Sequence, residues 1–504
     1  MFNMKLYKLF FIAAIALGFM ACNADDQPEV PQHETDSYAS ITVKFPGTVG
    51  TRALPGDYNQ KGTWTGRDSL KTVTVFLVNT DKDVVDYNSF SKSAFSAITT
   101  TGLLEPNLAL KATSGDNVRA YVVINGAESI LTTLKATSAD NFAGVFDNEY
   151  AKIASEVAKY NEDGTETIMM TNDKDDYALT VLPNITEDSA KAGGAGSNNI
   201  LVNVERVVSR AFMTVTPQTE TTGWPVKEVI GGNPETEIAR VTGVTYAVGQ
   251  SNTNFYLMKQ EDYATPDPVY TFTPTDYANW SDKEAYFDYS GLDNFTPITQ
   301  WAYSATGVDT QLGLEKTSKF VLPVNHAVKL ATAELQRPHY KKGNTTYFEI
   351  RASFMPSKVD GEDPTFTVPT TVYWGENDKK FYSTRAQAEA QGQKATEFKD
   401  GIMKYVIWLN PNSYNTSVED PNPKVSPTIR NQVYHAHINS FQRMGLPNNP
   451  LNPLDPDVEG NPDNPINPED LLKTDYTYLS VSVKVLPWTI HSYSYSLTDP
   501  GTMY

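Results

Sequence analysis

Cysteine is nearly absent. Cys22 is the single one among 504 residues, which excludes a disulfide framework and any cysteine-built metal cluster. Positive charge is also scarce: Lys and Arg total 41 against 60 Asp and Glu, a net charge of −19. Nucleic acid or an anionic membrane surface would call for the opposite sign. Past the first 21 residues no apolar run is long enough to cross a bilayer. The metalloprotease HExxH, the phosphate loop, the GxSxG elbow and the dinucleotide fingerprint are all missing. With no catalytic constellation and no cofactor signature, an enzyme is the least favoured class. What is present is ordinary globular usage, 40% hydrophobic and 20% charged. The length has room for two or three domains at about 150 residues each. Abundant Tyr (28) and Phe (22) lean toward β-structure.

Residues 1–21 read as an export signal, with Lys5 and Lys8 ahead of an apolar core from Leu9 to Met20. Ala21 then precedes the lone Cys22, an arrangement that resembles a bacterial lipoprotein signal, with Phe19 where Leu is usual. The alternative is an incidental cysteine in a plain secretory signal. Residues 23–37 are polar, contain proline and read as a tether. In the segment Tyr38 to Phe45 the apolar Ile41, Val43 and Phe45 alternate with polar residues, which predicts a half-buried strand. The small, flexible run Pro46 to Ala53 follows, carrying the isolated Arg52. Exposed loops of this composition are where proteases cut, and a cut between Arg52 and Ala53 would detach the strand. A hairpin loop with a solvated arginine is the plainer alternative.

The middle of the chain alternates short β-branched runs with turn signals. Val73–Val78, Ala120–Asn125, Leu201–Val204, Tyr347–Ala352, Thr371–Trp374 and Tyr405–Leu409 are such runs, a spacing that predicts β-sandwich domains. Asp147–Tyr160 and Ser383–Ala390 read as helical insertions. Ser189–Asn199 is small and flexible, which places the end of a first domain near residue 210.

Prolines at 447, 450, 453, 456, 462, 465 and 468 share one register of three. Polyproline II has three residues per turn, so this tract reads as a semi-rigid spacer of about 65 Å; a loop between two strands of one domain is the alternative. Beyond it Leu479, Val481, Val483 and Val485 alternate with polar residues as a strand. Trp488, Ile490 and their neighbours can make a second. Isolated strands are not stable in water, so this arm must join its own sheet or that of another molecule.

Weaker signals remain. His435 and His437 are two residues apart and could share a metal, but no third ligand is in view, so core or surface histidines are favoured. Asp455, Asp457, Glu459, Gly460 and Asp463 resemble a calcium loop only loosely. Trp64, Trp374 and Trp408 could stack on sugars, although sandwich tryptophans are more often buried.

The lipoprotein-like start, the strand, Thr51-Arg52-Ala53, the acidic Asn-Pro tract and Val483 to Tyr493 together resemble the shaft subunits of short (minor) fimbriae, which are type V pilins. Val204–Ala211, Tyr286–Leu292, Lys319–His326, Tyr405–Pro411 and Val433–Ile438 fit as well. The resemblance implies a mainly β protein of two transthyretin-like β-sandwich domains, with short helical insertions and an extended C-terminal arm. It implies lipidation at Cys22 at the outer membrane and removal by an arginine-specific protease of a propeptide, 22–52, that carries Ile41, Val43 and Phe45. The domains would be 53–210 and 211–445, followed by a spacer 446–475 and an arm 476–504. In that arm Leu479, Val481, Val483, Val485, Trp488 and Ile490 would complete the next subunit of a cell-surface fimbria. Implied partners are further copies of the chain, accessory tip and anchor subunits, and host or bacterial surface ligands, in support of adhesion and biofilm formation. Cleavage would remove four basic and five acidic residues, moving the net charge from −19 to −18. Two other functions stay open: a monomeric glycan-binding surface lipoprotein, and a tip or anchor subunit of the same organelle.

Overall fold

A computed structural model describes residues 35–45, 60–61, 68–95, 97–99, 102–219, 222–228, 236–266, 287–302, 318–325, 343–409, 428–447, 479–486 and 489–491. Its strands fall where apolar residues alternate or run together. In the first half these are β1 (Ser37–Lys44), β2 (Thr72–Asn79), β3 (Val84–Ser91), β4 (Leu108–Ala112), β5 (Gly115–Ile124), β6 (Met170–Asn172) and β7 (Asn199–Arg206). They are hydrogen-bonded in the order β3-β2-β5-β6-β7-β1-β4. The two ends of this path meet, because the Thr113 backbone N–H just after β4 donates to Asp86 Oδ2 on β3 at 2.6 Å. The sheet thereby wraps into a sandwich. The run Val73–Val78 is buried on both faces, as a strand covered on both sides must be. Its cover comes from α1 (Glu128–Lys135) and α2 (Ala139–Phe146). The Phe142 ring lies 5.1 Å from Phe76 and 5.0 Å from Tyr121, and Phe146 lies 4.7 Å from Tyr121.

The helix expected over Asp147–Tyr160 is not formed as such. Glu149–Ala151 and Ala158–Tyr160 are strands around the single turn Ala154–Val157. Each strand has a partner, Asn254–Tyr256 for the first and Glu166–Ile168 for the second. Tertiary pairing here overrides local helix propensity. Ser189–Asn199, read as flexible, begins inside α3 (Glu187–Ala192), capped by the Thr186 hydroxyl. The chain then turns through Gly193, Gly194 and Gly196, all at positive φ, into Asn198 at φ 53°. The helical stretch expected at Ser383–Ala390 is α4 (Arg385–Glu389).

The second half holds β8 (Ser209–Val215), β9 (Trp224–Glu228), β10 (Thr236–Gly249), β11 (Tyr347–Pro356), β12 (Ile402–Trp408), β13 (Val433–Phe441), β14 (Leu479–Leu486) and β15 (Thr489–His491). Gln60–Lys61, β15, β14, β13, β9, β10, β11 and β12 follow one another in a single sheet, and β8 joins β13 in parallel. Two apolar cores result. The first includes Val207 and Val208, and the second starts at Ala211. The division is not purely sequential, because Phe255, Leu257, Met258 and Leu322 reach back into the first core.

Buried arginines tie the two cores together. Arg206 pairs with Asp68 and donates to Asn431 Oδ1 at 3.0 Å, while Arg210 pairs with Glu166. Arg430 donates to the Arg206 carbonyl and to Thr171 Oγ1, both at 3.1 Å. Its burial pushes its pKa down to about 10. Removing one partner from such a buried pair costs about 3–5 kcal/mol, because the other charge is left uncompensated.

Candidate functional site

β1 lies in mid-sheet. It runs parallel to β7, with Ile41 opposite Ile200 and Val43 opposite Val202, and antiparallel to β4, with Ala39 opposite Leu110 and Ile41 opposite Leu108. Ile41 and Val43 are fully buried, and Phe45 is 2% exposed. These are the apolar positions that alternation picks out in the sequence.

The opposite face departs from the half-exposed strand that alternation predicts. Ser40 is fully buried because α3 lies over it. The Ser40 hydroxyl donates to the Ala190 carbonyl at 2.5 Å and accepts from Asn199 Nδ2 at 2.7 Å. Thr42 Oγ1 donates to Asn107 Oδ1 at 2.7 Å and accepts from Asn199 Nδ2 at 3.2 Å. Asn198 Nδ2 donates to the carbonyls of Tyr38 and Leu182, both at 2.9 Å, and to Ser37 Oγ at 3.1 Å. Ahead of the strand, the Asp36 carboxylate accepts from the Ser114 hydroxyl at 2.6 Å and its backbone N–H at 2.8 Å. The Ser114 hydroxyl and N–H hold the Asp36 pKa below the usual carboxylate range. β1 thus occupies a groove with an apolar floor and a roof of amides and carbonyls. Asn107, Asn198 and Asn199 were not singled out from the sequence. The local signal was there, since the glycine-rich run ends in Asn198-Asn199 and asparagine readily adopts the positive φ found at Asn198.

Of the two positions open to the C-terminal strand, the structure contains the one on its own sheet. β14 lies antiparallel on β13, placing Leu479, Val481, Val483 and Val485 opposite Phe441, Ile438, Ala436 and Tyr434. In β15, Ile490 pairs with Val433 and with Gln60. Trp488, Cys22, Arg52 and Ala53 lie outside the described residues, as do Trp64, the proline tract beyond Pro447 and the acidic residues 455–463.

His435 and His437 are both fully buried on β13. One hydroxyl lies between them, with Thr214 Oγ1 2.6 Å from His435 Nε2 and 2.7 Å from His437 Nδ1, and Thr216 Oγ1 is 3.0 Å from His437 Nε2. Because the Thr214 hydroxyl has one proton to give, one ring accepts from it and the other donates to it. The His435 ring also stacks on Phe212 at 4.3 Å. Trp374 packs against Phe381 at 4.7 Å, and Trp408 belongs to a small buried cluster with Val324, Tyr347 and Val406. Neither tryptophan presents a free face for a sugar.

Burial lowers the His437 pKa from 6.5 to about 4. Between those values the unfolded chain binds a proton that the folded chain excludes, so stability declines as pH falls through this window. The loss is on the order of 3 kcal/mol across it. His437→Gln should flatten the pH dependence of thermal unfolding by that amount; an unaltered slope between pH 7 and 4.5 would refute this.

Comparison with known proteins completes the picture. Residues 396–494 match the family described as "Major fimbrial subunit protein type IV, Fimbrillin, C-terminal". Two sequences of Minor fimbrium subunit Mfa1 from Porphyromonas gingivalis are each 28% identical to this chain; both alignments cover 97% of it and 99% of the relative. Among solved structures, a fimbrilin from Porphyromonas gingivalis W83 aligns over 82% of this chain and 93% of its own length, with 14% identity and a TM-score of 0.37. The assignment rests on the sequence relatives. They liken the chain to structural fimbrial subunits. The chain is similar, over nearly its whole length, to fimbrial subunits of the Mfa/Fim type.

Proposed function

We propose that this subunit builds the fimbrial shaft. It is exported as a lipoprotein acylated at Cys22, cut between Arg52 and Ala53 by an arginine-specific protease, and polymerised by strand exchange. The observation that carries the reading is the position of β1. It fills the middle of a sheet, yet Arg52 lies only a few residues beyond Phe45. A cut there would leave β1 held by non-covalent contacts alone, and its loss would open two strand edges and an apolar floor. Unpaired edges of this kind are templates for another strand. The C-terminal arm of a second copy supplies one. Head-to-tail donation is heterologous and does not close, so it yields a filament. Tip and anchor subunits would complete the organelle and surface ligands would be bound along it, supporting adhesion and biofilm formation.

The test is to treat the purified precursor with an arginine-specific protease. The product should begin at Ala53 and run as a ladder on gels loaded without boiling, whereas Arg52→Ala should give neither. A cut product that stays monomeric under conditions that polymerise an Mfa1 relative would overturn the proposal.

A further inference from the structure

The groove around β1 makes a demand at each position, and the demands can be written in order. A small hydroxyl sits at Ser40, an aliphatic at Ile41, a hydroxyl at Thr42 and an aliphatic at Val43. Lys44 follows on the partly exposed face, then the buried Phe45. The C-terminal strand carries the same series. Tyr38-Ala39-Ser40-Ile41-Thr42-Val43-Lys44-Phe45 is echoed by Tyr478-Leu479-Ser480-Val481-Ser482-Val483-Lys484-Val485.

Resting on the strand-exchange reading above, we infer that the roof formed by Asn107, Asn199 and the Ala190 carbonyl selects the incoming strand and sets its register. Ser480 and Ser482 of a second copy take the hydroxyl positions of Ser40 and Thr42, parallel to β7. Other registers fail on particular residues. A slip by one exchanges the two faces and puts serines on the apolar floor. Sliding the strand by two in one direction places Lys484 at Thr42, an unpaired cation against the asparagine roof. Sliding it by two the other way places Tyr478 at the fully buried Ser40, beneath α3. In the matched register three apolar sizes change, Leu479 for Ala39, Val481 for Ile41 and Val485 for Phe45; the gain at the first offsets the losses at the other two, so the total apolar volume is nearly kept.

Lys44 stands opposite Asn203 in the present pairing, so Lys484 of the second copy takes that place. The chain processed at Arg52 has lost its single cysteine, which leaves engineered thiols unambiguous. Asn203→Cys combined with Lys484→Cys in the full processed chain should give disulfide-linked ladders under denaturing, non-reducing conditions. The same Asn203→Cys with Ser482→Cys, or with Leu486→Cys, should link at least roughly tenfold less. If ladders form but either control pair links best, the register is wrong while strand exchange stands. If no variant forms a ladder, both fail. Separately, Ser480→Val leaves the Asn199 amide and the Ala190 carbonyl without their shared partner, and should speed ladder dissociation roughly tenfold. An unchanged dissociation rate would refute the selective role of the roof.

Discussion

Processed chain held as a monomer, with β1 released and no donor present, should unfold roughly 10–20 °C below the uncut precursor. Ile41, Val43 and Phe45 lie within the first core, and burying each is worth about 1.5–3 kcal/mol. Their departure also exposes the wall they covered, including Leu108, Leu110 and Val202, all now buried. Against this, a released strand regains about 1–2 kcal/mol of backbone entropy per residue. The hydrogen bonds of β1 to both neighbouring strands and to the asparagines, about 0.5–1.5 kcal/mol each, add to the loss, so the balance is a loss on the order of 5 kcal/mol, a large share of the usual stability of a domain. For a unit of this size each kcal/mol moves the midpoint by about 2–4 °C. A synthetic peptide of residues 35–45 should restore the midpoint in a concentration-dependent way, since it binds the folded state alone. Calorimetry showing equal midpoints before and after release of β1 would remove the reason for a donor.

Deletion of residues 476–504 should abolish polymerisation of the processed chain while leaving a folded monomer. β13 would lose β14 but keep β8 on its other side, with Phe212 opposite His435 and Met213 opposite Ala436. Its side chains therefore remain in the second core. The truncated chain still carries the β1 groove, so it can accept a tail without offering one. Mixed with intact processed chain, it should shorten filaments in proportion to its fraction, as read by ladder length or electron microscopy. Ladders of undiminished length from the truncated chain alone would show that the arm is not the donor. The same deletion separates the two roles: a shaft subunit loses polymerisation, whereas a terminal subunit is still incorporated at one end of the filament.

The structure gives one side of the competition that the sequence left open. β14 lies on β13, so on the proposed exchange the arm would have to leave its own sheet before it could enter another. On the proposed strand exchange, one strand with two places would keep donors from engaging before a groove is vacated, because the ladder on β13 and a ladder between β7 and β4 would draw on the same backbone groups.

Much of the candidate site was legible from local pattern. Ile41, Val43 and Phe45 stand out because a strand alternates at period two, and they are buried as that alternation requires. The runs Val73–Val78 and Tyr405–Leu409 announce strands because β-branched and aromatic residues fit a pleated surface. Asp147–Tyr160 misled because its two strands owe their form to partners elsewhere in the chain. The burial of Ser40 could not be read either, since a serine on an alternating strand carries no sign of the helix above it.

By itself, then, the amino-acid order determined a chain of strands, an apolar segment ahead of a lone arginine, and a second such segment past a proline spacer, because composition and periodicity act over a few neighbouring residues. Tertiary structure alone decided that Ser40 meets Asn199, 159 positions away, that two histidines share the Thr214 hydroxyl, and that the arm rests on β13. Contacts of that range depend on which strand edges are brought together, and no local pattern encodes the choice of partner.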